Sequence, residues 1–339
     1  MRRGAAVLAL LAAGGSCRRQ PPPPWSDASP HGVTYVAVAP GVQLEVLDWG
    51  GTGPNLVFLS GLGDVAHGFD DFAPQFRDQF HVVAITRRGY GASTRTPTGY
   101  DLATRLRDLT VALDSLNIGK AILVGHSMAG DELTGFAGAH PERVLALVYF
   151  DAAYDHSVLN DLIGGYPQQP PSPADSSSPR AFQRYQLVTF GMLIPESQIR
   201  ATEVFDAAGH LRSDVTPGTV DSQMLAGAGH PDYSKVQAPA LAIDAVIDSA
   251  PQMFPRWSKF NDSTRAQGRR FAAKIMAWGS DQRAIFRKAM PAARVVELHG
   301  ANHYVFYSNR NDVVREMRAF LGTVASGGQP SAVSHRQAR

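Results

Sequence analysis

The sequence predicts an α/β fold built on a doubly wound, mostly parallel sheet, and three observations support this prediction. First, short continuous apolar runs such as Leu56–Leu59 and Ala121–Val124 are typical of strands buried on both faces. Second, helical patterns alternate with these runs: leucines at 102, 106, 109, 113 and 116 form one apolar stripe. Third, Val33–Val38 and Val42–Trp49 alternate apolar and polar residues, which predicts an antiparallel hairpin at the start.

The remaining elements follow in chain order. We expect a helix over Phe69–Phe76, strands at His81–Ile85 and Val144–Phe150, and helices that begin after Asp101 and after the run ending at Val124. Between residues 154 and 238 the periodicity breaks around Pro/Ser-rich stretches, so this segment is interpreted as a cap inserted above the sheet. The strand and helix pattern then resumes with elements at Ala240–Ile243, Phe260–Met290 and Val295–Leu298 and a closing helix capped by Asn311.

The two ends of the chain differ in composition from the predicted domain. Residues 1–17 combine a basic start with a short apolar run, which indicates a signal peptide and a secreted or periplasmic protein. Cys17 stands where a bacterial lipoprotein carries its lipid, and the small residues before it resemble a lipobox; an ordinary signal peptide with an incidental cysteine is the alternative. Residues 18–32 are a Pro-rich linker, the predicted α/β domain occupies 33–325, and a polar tail follows over 326–339.

Composition excludes several functions. The 32 basic and 30 acidic residues nearly balance and form no basic stripe, so nucleic-acid binding is not expected. The chain contains no His-x-His or Glu-x-x-His pair, no phosphate loop and no dinucleotide fingerprint, so we expect neither a metal nor a cofactor. Contact with a membrane is expected only through a lipid on Cys17.

The strongest motif is Gly125-His126-Ser127-Met128-Ala129-Gly130, which follows an apolar strand and precedes a helical segment. This is the strand–turn–helix context of a nucleophile elbow, in which small neighbours leave room for a serine on a strained turn. The turn also places Ser127 at a helix N-terminus, where developing negative charge is favoured.

Together with Ser60-Gly61-Leu62-Gly63, Arg88-Gly89-Tyr90-Gly91-Ala92-Ser93 and Gly300-Ala301-Asn302-His303, this motif resembles the α/β-hydrolase superfamily. The resemblance implies an eight-stranded α/β-hydrolase fold and a serine hydrolase, with Ser127 as nucleophile and His303 as general base. It places the oxyanion-hole N–H groups at Leu62 and Met128. Relatives that open epoxides or remove halides use aspartate at the elbow, so a serine favours acyl transfer.

The acidic member of the triad has two candidates. The superfamily pattern P-x-L-x-I at Pro239, Leu241 and Ile243 marks Asp248, which we take as the first choice. Asp151, at the end of the sixth predicted strand, is the rival, because some members of the superfamily carry the acid there. Asp244 lies within a strand and is a poorer candidate.

We therefore expect an enzyme that cleaves a small-molecule carboxylic ester through an acyl-enzyme on Ser127. An amide, lactone or aminopeptidase-type hydrolase on the same triad is the alternative, and the last would need the cap acids Glu196, Glu203 or Asp206 to hold an ammonium group. A non-catalytic binding module of the same fold is the third hypothesis.

Overall fold

A computed structural model describes residues 25–325, and an eight-stranded sheet organises them. The predicted signal peptide, Cys17, the predicted linker before residue 25 and the polar tail lie outside the described residues. The strands are β1 (Gly32–Ala39), β2 (Val42–Gly50), β3 (Asn55–Leu59), β4 (His81–Ile85), β5 (Ala121–His126), β6 (Val144–Phe150), β7 (Glu203–Phe205), β8 (Leu211–Asp214), β9 (Ala240–Val246) and β10 (Arg294–His299).

The main sheet runs in the order β1-β2-β4-β3-β5-β6-β9-β10. Strand β2 pairs antiparallel with β1 and with β4, and the other neighbours are parallel. The predicted doubly wound, mostly parallel sheet with an antiparallel start is confirmed. Every residue of β5 and of β9 is buried, because helices cover both faces of a parallel sheet.

The α-helices are α1 (Leu102–Ser115), α2 (Ala129–Ala139), α3 (Leu159–Leu162), α4 (Pro179–Phe190), α5 (Glu196–Thr202), α6 (Gly218–Ala226), α7 (Ala250–Met253), α8 (Asp262–Ala289), α9 (Val305–Ser308) and α10 (Arg310–Ala325). Asp101 caps α1 as predicted, since its carboxylate accepts a hydrogen bond from Thr104 N at 2.9 Å. The helix expected over Phe69–Phe76 is instead two short 3₁₀ turns, and α10 begins one residue before the predicted cap, Asn311.

Two hydrophobic cores lie on the two faces of the sheet. One includes Leu109 and Leu113 of α1 and Leu133 and Phe136 of α2. The other is rich in aromatic rings and packs α10 against the sheet, with Phe58 and Phe72 meeting edge to face at 6.1 Å. The sheet is thus held rigidly from both sides, which fixes the positions of the loops at its carboxyl edge.

Between β6 and β9 the chain forms four helices, α3 to α6, and the small hairpin β7–β8. Phe182, Tyr185 and Ile199 form a separate apolar cluster there, so α4 and α5 pack on each other. In the described part of the chain, no helix combines the length and the apolar composition needed to cross a bilayer.

Helix α2 approaches the chain that follows β6 very closely at Gly130. A Cβ added to Gly130 would lie 1.8 Å from the main-chain oxygen of Ala152, well inside contact distance. Only glycine permits this approach, and the approach sets the position of the N-terminus of α2.

We predict that Gly130→Ala lowers the free energy of unfolding by about 3 kcal/mol or more, because the added methyl group must displace backbone. Gly119→Ala is the matched control, since no atom lies within 4 Å of its added Cβ. Urea unfolding of the two variants measures the difference. Equal stability of the two would show that the α2 contact is not tight.

Candidate active site

Ser127 occupies a strained turn between β5 and α2. Its φ is +52°, in the left-handed region that a serine rarely adopts. A Cβ on Gly125 would come within 2.9 Å of Ala129 Cβ and 2.7 Å of Leu133 Cδ1, so the turn closes only over small residues. The strand–turn–helix geometry predicted for this motif is therefore present.

Strand pairing places Asp151 beside Ser127. In the parallel register of β5 and β6, His126 lies opposite Phe150, and the next residues along the two strands are Ser127 and Asp151. Ser127 N donates to Phe150 O at 3.1 Å, which ties the turn to the end of β6. Asp151 also has a positive φ, +45°, so both strand ends turn sharply at the same edge of the sheet.

His303 reaches Asp151 from the loop after β10. Its Nδ1 lies 2.6 Å from Asp151 Oδ2, and a protonated Nδ1 donates this hydrogen bond. The other oxygen of Asp151 accepts from Ala245 N at 3.0 Å and from the Tyr154 hydroxyl at 2.5 Å. Burial raises the pKa of Tyr154 well above its usual value, so this hydroxyl stays a donor. The Asp151 carboxylate is thus oriented from three directions.

Asp248, the first choice from the sequence, does not contact His303. It follows the end of β9, and its Oδ1 lies 2.9 Å from Nδ1 of His299 on the neighbouring strand β10. Both side chains of that pair are about half exposed. The expected Asp248–His303 contact is not found among the described residues: Asp248 pairs with His299 instead, and the carboxylate at His303 Nδ1 is that of Asp151.

His126 joins the loops around Ser127 and is fully buried. Its Nε2 donates to the carbonyl oxygen of His303 at 3.2 Å, and the two imidazole rings lie 4.6 Å apart. Burial lowers the pKa of His126, so the ring is neutral. A Cβ on Gly61 would lie 2.8 Å from its Nδ1, so His126 also packs against the loop that carries Leu62. These contacts make His126 a packing residue of the site.

A buried arginine holds the peptide that precedes Leu62. Arg87 Nη1 donates to Gly61 O at 3.1 Å, and Arg87 Nε donates to Glu132 of α2. The carbonyl of Gly61 and the N–H of Leu62 belong to one planar trans peptide, so fixing the carbonyl fixes the N–H in the opposite direction. Within residues 25–325, neither Leu62 N–H nor Met128 N–H donates to another protein atom.

The comparisons with known proteins agree with this geometry. A sequence profile described as "alpha/beta hydrolase fold" matches residues 54–184. The crystal structure of E-2-(acetamidomethylene)succinate hydrolase superposes with a TM-score of 0.64 at 19% identity, over 86% of this chain and 99% of that chain. The described residues therefore have the α/β-hydrolase fold.

Two curated relatives of this α/β-hydrolase match parts of the sequence. A putative non-heme haloperoxidase of Mycobacterium phage D29 is 38% identical over 104 residues, which cover 30% of this chain and 37% of that protein. The 2-(acetamidomethylene)succinate hydrolase of Mesorhizobium japonicum is 28% identical over 194 residues, 50% of this chain and 68% of that protein. The match to the phage protein thus spans little more than a third of that relative's length.

Asp244 introduces a second carboxyl group beneath the site of this α/β-hydrolase. It is fully buried in β9, and its Oδ1 has no hydrogen-bond partner within residues 25–325. Burial, reinforced by the negative charge of Asp151, raises the pKa of Asp244 to about 8. Asp244 is therefore neutral at neutral pH.

We predict that Asp244 makes the wild type less stable as pH rises. The unfolded chain loses this proton near the ordinary aspartate pKa of 3.8, whereas the folded protein keeps it until about pH 8. The folded state binds more protons between these values, so this contribution to stability declines across that window. Asp244→Asn removes this decline. At about pH 9 we expect the free energy of unfolding of the variant to exceed that of the wild type by about 1 to 3 kcal/mol.

Urea unfolding at about pH 5 and about pH 9 measures this effect. The exposed Asp281→Asn, in the middle of α8, is the control and should follow the wild type. Parallel stability profiles for Asp244→Asn and the wild type would contradict the prediction.

Proposed function

We propose that this α/β-hydrolase is a serine hydrolase that cleaves carboxylic esters, with Ser127 as nucleophile, His303 as general base and Asp151 as the acid of the triad. The observation that carries the proposal is the 2.6 Å contact of His303 Nδ1 with Asp151 Oδ2, beside the strained Ser127 turn. This contact leaves His303 Nε2 as the ring nitrogen that can exchange a proton with the serine hydroxyl.

The reaction follows from these positions. Ser127 Oγ attacks the ester carbonyl while its proton passes to His303 Nε2, and Asp151 stabilises the imidazolium that forms. Collapse of the tetrahedral intermediate breaks the bond to the alcohol oxygen, which takes the proton from His303, and leaves the acyl group on Ser127. Water then gives a proton to His303, attacks the acyl carbon and releases the acid and a free serine.

The negative oxygen of the intermediate needs N–H donors that are already in place, and we assign this role to the main chain of Leu62 and Met128. Two observations support the assignment: both N–H groups lack a protein acceptor within the described residues, and Arg87 fixes the peptide before Leu62. A donor of this kind contributes about 3 kcal/mol to stabilising the transition state.

The surrounding charges favour an uncharged substrate. Arg88, the one charge of the glycine-rich loop that could face a substrate, binds Asp108 through two hydrogen bonds of 2.8 and 2.7 Å. Arg87 is engaged by Glu132 and by the carbonyl of Gly61. Each guanidinium already binds a carboxylate, which supports a neutral ester.

The same reasoning weakens the aminopeptidase alternative. Of the three cap acids that could hold an ammonium group, Glu196 accepts two hydrogen bonds from Arg200 and Asp206 pairs with Arg212. Burial, together with nearby Asp214, raises the pKa of Glu203 to about 8, so that group is neutral at neutral pH.

Amide cleavage is the second candidate, and a specific comparison favours it. The Mesorhizobium japonicum relative and the superposed crystal structure are both named for a substrate with an acetamido group. The same triad can expel an amine after His303 protonates the nitrogen. Cleavage rates on esters and on amides therefore decide which of the two is the better substrate class.

We predict that Asp151→Asn lowers kcat by about 10³- to 10⁴-fold, because an amide cannot stabilise the imidazolium or hold its tautomer. Asp248→Asn is the matched control, since Asp248 pairs with His299 and should leave kcat nearly unchanged. Steady-state kinetics on a p-nitrophenyl ester, with circular dichroism to confirm folding, measures both. A large loss in Asp248→Asn with little change in Asp151→Asn would reverse the assignment.

We also predict that p-nitrophenyl esters of graded chain length are cleaved faster than the matching anilides, since a phenolate leaves more readily than an amine. Ser127→Ala should abolish both the cleavage and labelling by a fluorophosphonate probe. Faster anilide cleavage would transfer the assignment to amides. An unlabelled, inactive wild type would favour the non-catalytic module.

A further inference from the structure

Four potential metal ligands meet at a place separate from the Ser127 site. Asp27 and His31 come from the segment before β1, and His67 and Asp70 come from the 3₁₀ turn that follows β3. One ligand atom from each of the four lies within 4.8 Å of the others. None of them belongs to the proposed triad or to the oxyanion hole.

The four side chains lie close enough to ligate one ion. His67 Nδ1 lies 3.0 Å from Asp70 Oδ2 and 3.3 Å from Asp27 Oδ2. His31 Nδ1 lies 2.8 Å from Asp70 Oδ1, and its Nε2 lies 3.6 Å from Asp27 Oδ2. An ion takes one atom from each side chain, and one such set of four lies within 4.8 Å. Tetrahedral ligands at the usual Zn–N and Zn–O lengths are about 3.3 Å apart, so small side-chain rotations bring the set onto one ion.

Two of the atoms are buried without a satisfying partner. His31 Nδ1 and Asp70 Oδ1 face each other, yet neither makes a hydrogen bond of acceptable geometry within residues 25–325. Their side chains are only 4% and 1% exposed. A buried polar atom without a partner is costly, and a cation that both atoms ligate would remove this cost.

Neighbouring groups orient the four side chains. Ser197 Oγ of α5 donates to Asp70 Oδ2 at 2.5 Å, and Glu45 Oε1 lies 3.7 Å from His67 Nε2. The indole of Trp49 packs edge to face on His31, with ring centroids 5.6 Å apart. Such outer contacts fix ligand orientation in metal sites. Asp27 is the most exposed of the four ligands, so an ion can enter from its side.

We propose that Asp27, His31, His67 and Asp70 form a binding site for a divalent transition metal of the zinc class. Two imidazoles and two carboxylates suit Zn²⁺, and the two carboxylates balance its charge. With four protein ligands and no open position, the site is structural rather than catalytic.

The bound ion would join three parts of the chain. It would attach the segment before β1 to the turn after β3, and through Ser197 it would reinforce the docking of α5. The next residue of α5, Gln198, donates to Asp64 Oδ1 at 2.9 Å, two residues after Leu62. Metal loading would therefore stabilise the loop that carries a proposed oxyanion donor.

The test uses the full chain without an affinity tag, stripped with a chelator and titrated with Zn²⁺ at neutral pH. We expect one equivalent of zinc by elemental analysis. We also expect the Tm to rise by about 4 °C when free zinc is one hundred times its Kd. Co²⁺ in place of zinc should give the visible absorption of a four-coordinate site.

Variants separate this site from adventitious zinc. Asp27→Asn and His67→Gln should each weaken zinc binding about tenfold or more. His81→Gln should bind as the wild type, since His81 pairs with a single carboxylate, Asp48, at 3.2 Å. If His67→Gln does not fold, the zinc affinity of Asp27→Asn alone tests the proposal, because Asp27 is the most exposed of the four ligands. Absence of bound zinc, or equal binding by Asp27→Asn and His81→Gln, would overturn the proposal.

Discussion

The parallel register between β5 and β6 is the constraint on which the site depends. Because His126 lies opposite Phe150, the strands end together, and the chain turns sharply at Ser127 on one strand and at Asp151 on the other. His303 arrives from beyond β10 and needs only to meet a carboxylate that is already fixed. A slip of one residue would direct one of the two side chains away from this edge.

Buried charges connect this edge of the sheet to the loop that carries Leu62. Glu132, in the first turn of α2, accepts from Arg87 and, at 2.9 Å, from Arg105. Burial opposes ionisation of Glu132, but the two guanidinium groups hold its pKa below the usual value. Removing one partner of such a network leaves an uncompensated buried charge, so α2 and the peptide of Gly61 keep one relative position.

The sequence predicted the fold well because strand burial and helix periodicity are local patterns. It also placed Ser127 and His303 in short motifs next to strands, and the structure puts both residues at the same edge of the sheet as Asp151. The motif around Pro239 indicates where β9 ends, not which histidine lies nearby, so it did not locate the carboxylate that contacts His303. That contact joins residues 152 positions apart, which no local pattern contains.

By itself, the sequence determined the α/β class, the elbow and the serine, because steric demands on a tight turn restrict which residues can occupy it. Only the tertiary structure decided that Asp151 faces His303. The sequence predicted no metal site because it contains no His-x-His or Glu-x-x-His pair, that is, no two such ligands close together along the chain. The cluster of Asp27, His31, His67 and Asp70 instead joins two segments separated by three strands, and only folding brings their side chains together.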